Sequence, residues 1–345
     1  MSEVGWYDVG GIAFGIRLEA PWKSMDYAAP VLERIANAAR GGVADVSPVR
    51  AGDDMPARTF VRDRKDLPAD FTRHTLDLSQ YEPFRIPDAE NPAFCMTVLA
   101  PGKGREWHRA DNELIMSVEE ATPFYYIYRK GEDTLFVFKN DGGDVIAEMY
   151  LPADACSAEF CPSEKCGPYA AVFYLSVALR ILYSYNAASH GALLLHSSVI
   201  GLDGRAVLFL GASGTGKSTH SRLWLENVPG TEIVNDDNPV IRLENGRFFV
   251  YGTPWSGKTP CYRNVRMPVK AVVRLSQADR NEISVVSGLN AYAAFSGSIS
   301  AVRWEKSKMD YVVPLASAVA MEVPFYKMGC LPDAEAALLC KNTVF

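Results

Sequence analysis

Basic charge is in short supply in this sequence. Its 345 residues hold 35 Lys and Arg against 41 Asp and Glu, a formal net charge of −6. With no basic excess to displace counterions from a phosphate backbone, general nucleic-acid binding is excluded. Cysteine is sparse and odd in number: Cys95, Cys156, Cys161, Cys166, Cys261, Cys330 and Cys340. Such a scattered set argues against a disulfide framework and points to a reducing compartment, the cytoplasm. Cys156, Cys161 and Cys166 are spaced too widely for paired zinc ligands and lack a fourth partner, so they read as free thiols. The first residues, MSEVGWYDVGGIAF, lack the basic start and apolar run of a secretory signal. Long uncharged apolar runs are missing too. The richest, Tyr169 to Ala188, carries Arg180 and Asn186, whereas a membrane span wants ~20 residues nearly free of charge. It predicts a helix largely buried between domains, with Pro168 near its start and Gly191 at its end. No membrane partner is expected. Repeats, heptads and low-complexity tracts are also lacking.

What is present is an ordinary globular composition, 48% hydrophobic and 22% charged, on a chain long enough for two domains. The first half reads as α+β. Strand-like runs flank Gly10 and Gly11 between Tyr7 and Leu18, and Met25 to Ala39 reads as a helix. Short strands follow at Ala93–Leu99, Glu113–Val118, Phe124–Arg129, Thr134–Lys139 and Val145–Leu151, parted by turn residues such as Lys130-Gly131-Glu132-Asp133 and Asn140-Asp141-Gly142-Gly143. They predict an antiparallel sheet that carries no recognisable chemistry. Cys156 to Gly167, small and polar, reads as the domain boundary. The division expected is an α+β domain over 1–165 and an α/β domain over 166–345.

The chemistry is concentrated in the second half. Arg205 to Glu226 reads RAVLFLGASGTGKSTHSRLWLE. An apolar run, Ala206 to Leu210, ends in Gly211-Ala212-Ser213-Gly214-Thr215-Gly216-Lys217-Ser218, and a helix-compatible stretch follows through Thr219. The octapeptide fits G-x-x-x-x-G-K-[ST] in full. Its glycines free the backbone to turn and keep side chains off phosphate oxygens. Successive N–H groups and the helix N-terminus then form an anion site. Lys217 sets a cation at the outer phosphates, and the Ser218 hydroxyl is a ligand for Mg²⁺ bound across them.

Nineteen residues beyond Lys217, Ile233-Val234-Asn235-Asp236-Asp237-Asn238 is a short apolar run ending in two acids. Adjacent carboxylates at a strand end call for a compensating cation or donor; the competing reading is a solvated turn before Pro239. His196 lies in Leu193 to Ile200, which reads as one strand entering a hairpin at Gly201-Leu202-Asp203-Gly204 and returning toward the phosphate loop. It is either a partner of the acidic pair or a satisfied core histidine. Arg263 and Lys258, in the loop after the acidic strand, are candidates to stabilise charge on a transferred group or are solvated cations.

This order of histidine strand, Gly-x-Ser-Gly-x-Gly-Lys-Ser loop and Asp-Asp pair resembles the kinase domain of HPr kinase/phosphorylase, itself similar to the core of phosphoenolpyruvate carboxykinase. It also resembles a looser set of HPr-kinase-like proteins with a divergent N-terminal domain, some of which accompany peptide-modifying systems. Those looser relatives share segments like Tyr251-Gly252-Thr253-Pro254-Trp255-Ser256-Gly257-Lys258, a late strand like Val323 to Cys330 and a helix like Asp333 to Leu339. The resemblance implies an α/β P-loop kinase domain with ATP and Mg²⁺ as cofactors and nucleotide bound by residues 211–219. Asp236 would be the base that takes the acceptor's proton, and Asp237 would bind metal with Ser218 or orient His196. Thr219 stands where HPr kinases carry Glu, and the Arg-Gly-rich signature that follows their Asp pair is absent. Phosphorolysis and HPr itself as substrate are therefore not expected.

The activity expected is phosphoryl transfer from ATP to a hydroxyl, on Ser or Thr of a peptide or protein, recognised by the N-terminal domain. Alternatives are a kinase of a small hydroxylated metabolite and a non-catalytic nucleotide-dependent binding module. The complete set of Lys217, Ser218, Asp236, Asp237 and His196 favours an enzyme, because a module that only binds needs no base. Self-association into a homo-oligomer is compatible with every reading.

Overall fold

The computed structural model describes residues 4–24, 74–104, 112–119, 124–257 and 260–345. The expected helix Met25–Ala39 and the candidate Lys258 lie outside them. Among the described residues, the division between two compact units falls between Asn186 and Ala187, later than the expected 165/166.

The first unit is built on one large sheet. Its strands are β1 (Val4–Val9), β2 (Ile12–Leu18), β5 (Arg85–Ile86), β6 (Phe94–Val98), β7 (Glu113–Val118), β8 (Phe124–Lys130), β9 (Asp133–Lys139), β10 (Val145–Leu151) and β11 (Ser157–Pro162). A separate short pair joins β3 (Lys23–Ser24) to β4 (Thr75–Leu76). Spatial order in the sheet is β5-β1-β2-β6-β11-β10-β9-β8-β7. The turn between β1 and β2 is carried by Gly10 and Gly11, both at positive φ (60° and 74°), the conformation a tight hairpin demands. The sheet is not purely antiparallel as expected, because β6 runs parallel to both β2 and β11. Nor is Cys156–Gly167 a linker. Its Ser157–Pro162 portion is an interior strand, hydrogen-bonded on both sides, where pairing and burial override a small, polar composition. The long apolar segment is helix α1 (Pro168–Ala187). It belongs to this unit: Tyr174 packs against Phe138, Tyr183 Oη donates to the Val9 carbonyl at 2.8 Å, and Asn186 Nδ2 donates to the Ala155 carbonyl at 3.2 Å. Among the described residues no helix is long and apolar enough to cross a membrane.

The second unit, Ala187–Phe345 in its described part, is an α/β layer structure. Its strands are β12 (Ala192–Leu194), β13 (Ser197–Leu202), β14 (Arg205–Leu210), β15 (Glu232–Asp237), β16 (Val240–Glu244), β17 (Arg247–Tyr251), β18 (Arg266–Gln277), β19 (Glu282–Val286) and β20 (Phe325–Cys330). Its helices are α2 (Lys217–Asn227), α3 (Gly288–Ser296), α4 (Lys306–Glu322) and α5 (Ala334–Val344). The sheet order is β12-β16-β17-β18-β14-β13-β15, with β20 also on β18 and β19 on β20. Strand β14 shows how the sequence places two cores. Ala206, Leu208 and Leu210 point into a cluster with Phe295, Val312 and Val319 of α3 and α4. Val207 and Phe209 point the other way, into a cluster with Trp224, Ala336 and Cys340 of α2 and α5. A continuous apolar run is what a strand covered on both faces requires.

Candidate functional site

Strand register assembles the site. Strand β13 runs antiparallel to β14 on one side and to β15 on the other, so its beginning lies beside both of their ends. Ser198 pairs with Phe209 across one ladder and with Asp236 across the other, and Ser197 faces Asp237. The loop leaving β14 and the acids closing β15 therefore meet at one edge, with the approach to β13 between them. Binding at the carboxyl ends of strands is the usual arrangement in open α/β sheets.

The segment Leu193–Ile200 is not one strand. It breaks at Leu195 and His196, between β12, which pairs with β16, and β13. The break is held by His196 N–H donating to Ser298 O at 2.7 Å and by a bridge between Leu195 and Ile299. It frees the His196 ring from the sheet. His196 Nδ1 lies 3.1 Å from Asp237 Oδ1, and its Nε2 lies 3.0 Å from Lys217 Nζ. An ammonium can only donate, so Nε2 is the acceptor and the ring proton sits on Nδ1, facing the carboxylate. His196 is thus a bridge between cation and acid, not a core histidine.

Gly211 to Gly216 form the loop between β14 and α2. Gly214 and Gly216 have φ of 80° and 104°, and Gly216 is the residue at which α2 begins. Such left-handed positions let consecutive N–H groups turn toward one point. Ala212, Ser213 and Gly214 are exposed, while Lys217 is buried with 9% of its surface exposed. Its Nζ donates to the carbonyls of Gly211 (2.9 Å) and Ala212 (3.3 Å) as well as meeting His196. Burial pulls the Lys217 ammonium below its ordinary value, and Asp237 and Asp236 act against that shift. Ser218, exposed, opens the first turn of α2 with Thr219 behind it.

The two acids are treated differently. Asp236 is buried and its Oδ1 accepts from Ser198 Oγ at 2.8 Å; Ser218 also donates to its carboxylate. Ser198 Oγ in turn lies 2.6 Å from Ser221 Oγ. Because Ser198 gives its proton to the carboxylate, Ser221 donates to Ser198. Burial raises the Asp236 carboxyl above the usual carboxylate value, against the lowering by Ser198 and Ser218. Asp237 is instead engaged by His196 and by Asn238 Nδ2, 2.8 Å from Oδ2. One turn beyond Lys217, His220 faces away from the acids. It stacks edge-on against Phe209, accepts from Trp224 Nε1 at 3.2 Å, and burial holds it neutral by pulling it down to about 4.

Lys217, Ser218, His196, Asp236 and Asp237 are therefore brought together. Arg263 is not with them. Its guanidinium is buried at the other end of β15, 2.5 Å from Glu232 Oε2 and hydrogen-bonded to the Ile233 carbonyl. Ser198, Ser221, Asn235, Asn238 and Thr253 complete the site and were not anticipated. The signals were small: Ser198 lies two residues beyond His196, at the start of β13, and Ser221 lies one helical turn beyond Ser218.

A nucleotide phosphate with Mg²⁺ suits this donor set. The loop offers turned backbone and a buried ammonium for anionic oxygen, and Ser218 beside the two carboxylates offers the oxygen ligands a hard cation takes. Among the described residues no group of three or more His, Cys, Asp or Glu side chains could cage a metal unaided. All seven cysteines are free thiols.

A family model described as "SynChlorMet cassette protein ScmC" matches residues 165–327, just under half of the chain. No curated protein matches it. Among solved structures, the Hpr(Ser) kinase/phosphatase from Coxiella burnetii is 15% identical over 44% of this chain and 87% of its own, with a TM-score of 0.28. A score that low carries no argument for a shared fold.

Proposed function

We propose that this chain is a phosphotransferase that moves a phosphoryl group from ATP, with Mg²⁺, to a hydroxyl of a peptide or protein. The observation that carries the reading is the meeting of a phosphate-loop lysine, a metal-competent serine, a bridged histidine and two carboxylates at one edge of one sheet. Bound Mg²⁺-ATP supplies the transferable group and the charge neutralisation that phosphoryl transfer needs.

The chain's own residues do the rest. The loop from Gly211 to Gly216 and Lys217 bind the phosphates, and Ser218 with one carboxylate of the pair holds the metal. Asp237 and Asn238 orient His196, and His196 holds the Lys217 ammonium within reach of the loop. Asp236, the more deeply buried acid, takes the proton of the acceptor hydroxyl. Burial raises its proton affinity, as suits a general base, and the Ser198–Ser221 chain fixes its orientation.

Titration calorimetry tests the reading. Lys217→Ala removes a charge-assisted contact to phosphate and should weaken Mg²⁺-ATP binding at least tenfold, about 1.4 kcal/mol. Unchanged affinity would take the phosphate-loop role away from this lysine.

A further inference from the structure

The segment Gly252 to Gly257 follows β17 and contains no group that the proposed reaction uses. Its contacts nevertheless converge on the acidic end of β15. Thr253 is fully buried, and its hydroxyl uses all three of its hydrogen-bonding capacities. It donates to the Asn238 carbonyl at 2.7 Å and accepts from Asn235 Nδ2 and from the Trp255 amide, each at 3.1 Å. Asn235, also fully buried, turns its Oδ1 back to accept from the amides of Asp237 and Asn238, both at 2.9 Å. That pair of bonds folds the chain at the acids, and Thr253 holds both sides of the fold.

The glycines of the segment explain themselves in the same way. A Cβ on Gly252 would be driven into the Arg263 carbonyl and toward that of Val234. A Cβ on Gly257 would be driven into the Asp236 carbonyl. At both ends the loop backbone lies directly against its neighbour, and two of these three carbonyls, those of Val234 and Asp236, belong to β15.

We propose that Gly252–Gly257 is a positioning element for the acidic pair, with Thr253 as its positioning residue. The hydroxyl holds Asn235 and the Asn238 carbonyl; Asn238 orients Asp237; Asp237 orients His196, which reaches Lys217. Thr253 itself touches neither acid. It acts through a continuous chain of hydrogen bonds that ends at the phosphate loop. Its role in turnover rests on the phosphotransferase reading; its hold on the turn does not.

The test uses the full chain with Thr253→Val, which keeps the shape and removes the hydroxyl, and Thr253→Ser, which keeps the hydroxyl. Amide hydrogen exchange reads the turn directly. In Thr253→Val the amides of Asp237 and Asn238 should exchange at least tenfold faster, with the β14 amides unchanged, and Thr253→Ser should return them toward wild type. Turnover of Mg²⁺-ATP, with water as acceptor, should fall at least tenfold in Thr253→Val at an ATP affinity within twofold of wild type, and recover in Thr253→Ser. Should Thr253→Val fail to fold, Gly257→Ala strains the same turn from the loop's far end and should give the same split. Unchanged exchange at Asp237 and Asn238, or exchange raised equally throughout the second unit, overturns the proposal. A wild-type chain that neither binds nor turns over ATP instead ends the phosphotransferase reading, while the exchange result still decides what Thr253 holds.

Discussion

The two ends of strand β15 carry the same kind of charge and meet opposite fates. At the start, Glu232 is closed by the Arg263 guanidinium, which also caps the Ile233 carbonyl. At the end, Asp236 and Asp237 are met by two serines, an asparagine amide, an imidazole and one ammonium that also binds the loop in front of it. One end is an ion pair complete in itself. Among the described residues, the other gathers two carboxylates around the Lys217 ammonium beside an exposed serine, an arrangement suited to an added cation. Structure is secured at one end of the strand, and room for chemistry is kept at the other.

The sharpest way to separate the ends is Asp236→Asn. The amide cannot accept the acceptor's proton, and loss of a general base costs about 10²- to 10⁴-fold in turnover, while ATP affinity should hold within a few-fold. Stability should move the other way. Burial raises the Asp236 carboxyl, so the folded state holds its proton more tightly than the unfolded chain does. The stabilisation is complete below the ordinary carboxylate value and is lost as pH rises through the folded one. Near neutrality the wild type therefore carries a costly buried charge that the amide removes. Thermal melts at pH 7 should show Asp236→Asn at least as stable as wild type. Turnover at near the wild-type rate would remove Asp236 from the base role, and if Asp237→Asn alone abolished it, the roles of the two acids would be exchanged.

Arg263→Met should give the mirror image. Breaking a fully buried pair costs about 3–5 kcal/mol. Glu232 is 39% exposed here and water can take over part of the arginine's role, so about 2 kcal/mol is expected. Denaturant melts should record that loss, with ATP affinity and turnover of the folded fraction unchanged. If Arg263→Met kept its stability and lost turnover a hundredfold, the arginine would belong at the transferred group after all, where sequence alone had placed it as a candidate.

That misplacement shows where the sequence stops being legible. The phosphate loop could be read because its chemistry is local: glycines, lysine and serine sit within eight residues, between an apolar run and a helix. The acidic pair and His196 were readable because one hairpin and one crossover bring them to the loop. Arg263 lies in an irregular stretch whose path no periodicity sets, so residue type suggested a role and geometry gave another. Thr253 and Asn235 were silent for a related reason. Each acts through backbone carbonyls and amides, which leave no pattern in side-chain spacing. In the first unit, hairpins such as β8–β9 followed from Lys130-Gly131-Glu132-Asp133, whereas β11 was hidden because its composition is small and polar and its parallel partner, β6, is distant in sequence, as β6 is from β2. The mixed sheet follows from those same long-range pairings.

The smallest expected effect tests whether the open end of β15 is tuned or only left unclosed. Ser198→Ala removes the hydroxyl that donates to Asp236 and leaves Ser221 facing a methyl group. A hydrogen bond to a charged group is worth about 1.5–3 kcal/mol, and Ser218 still donates to the same carboxylate, so a loss near the lower end, about 1.5 kcal/mol or roughly tenfold in turnover, is expected. Removing one of its two donors loosens the orientation of Asp236, so the loss should appear in turnover and spare ATP affinity, which depends on Lys217. In an Asp236→Asn background the same serine substitution should cost almost nothing further in turnover, because the group it orients is already disabled. Equal losses in both backgrounds would mean that Ser198 merely packs between β15 and α2, and that the hydroxyl chain from Ser221 does not set the carboxylate.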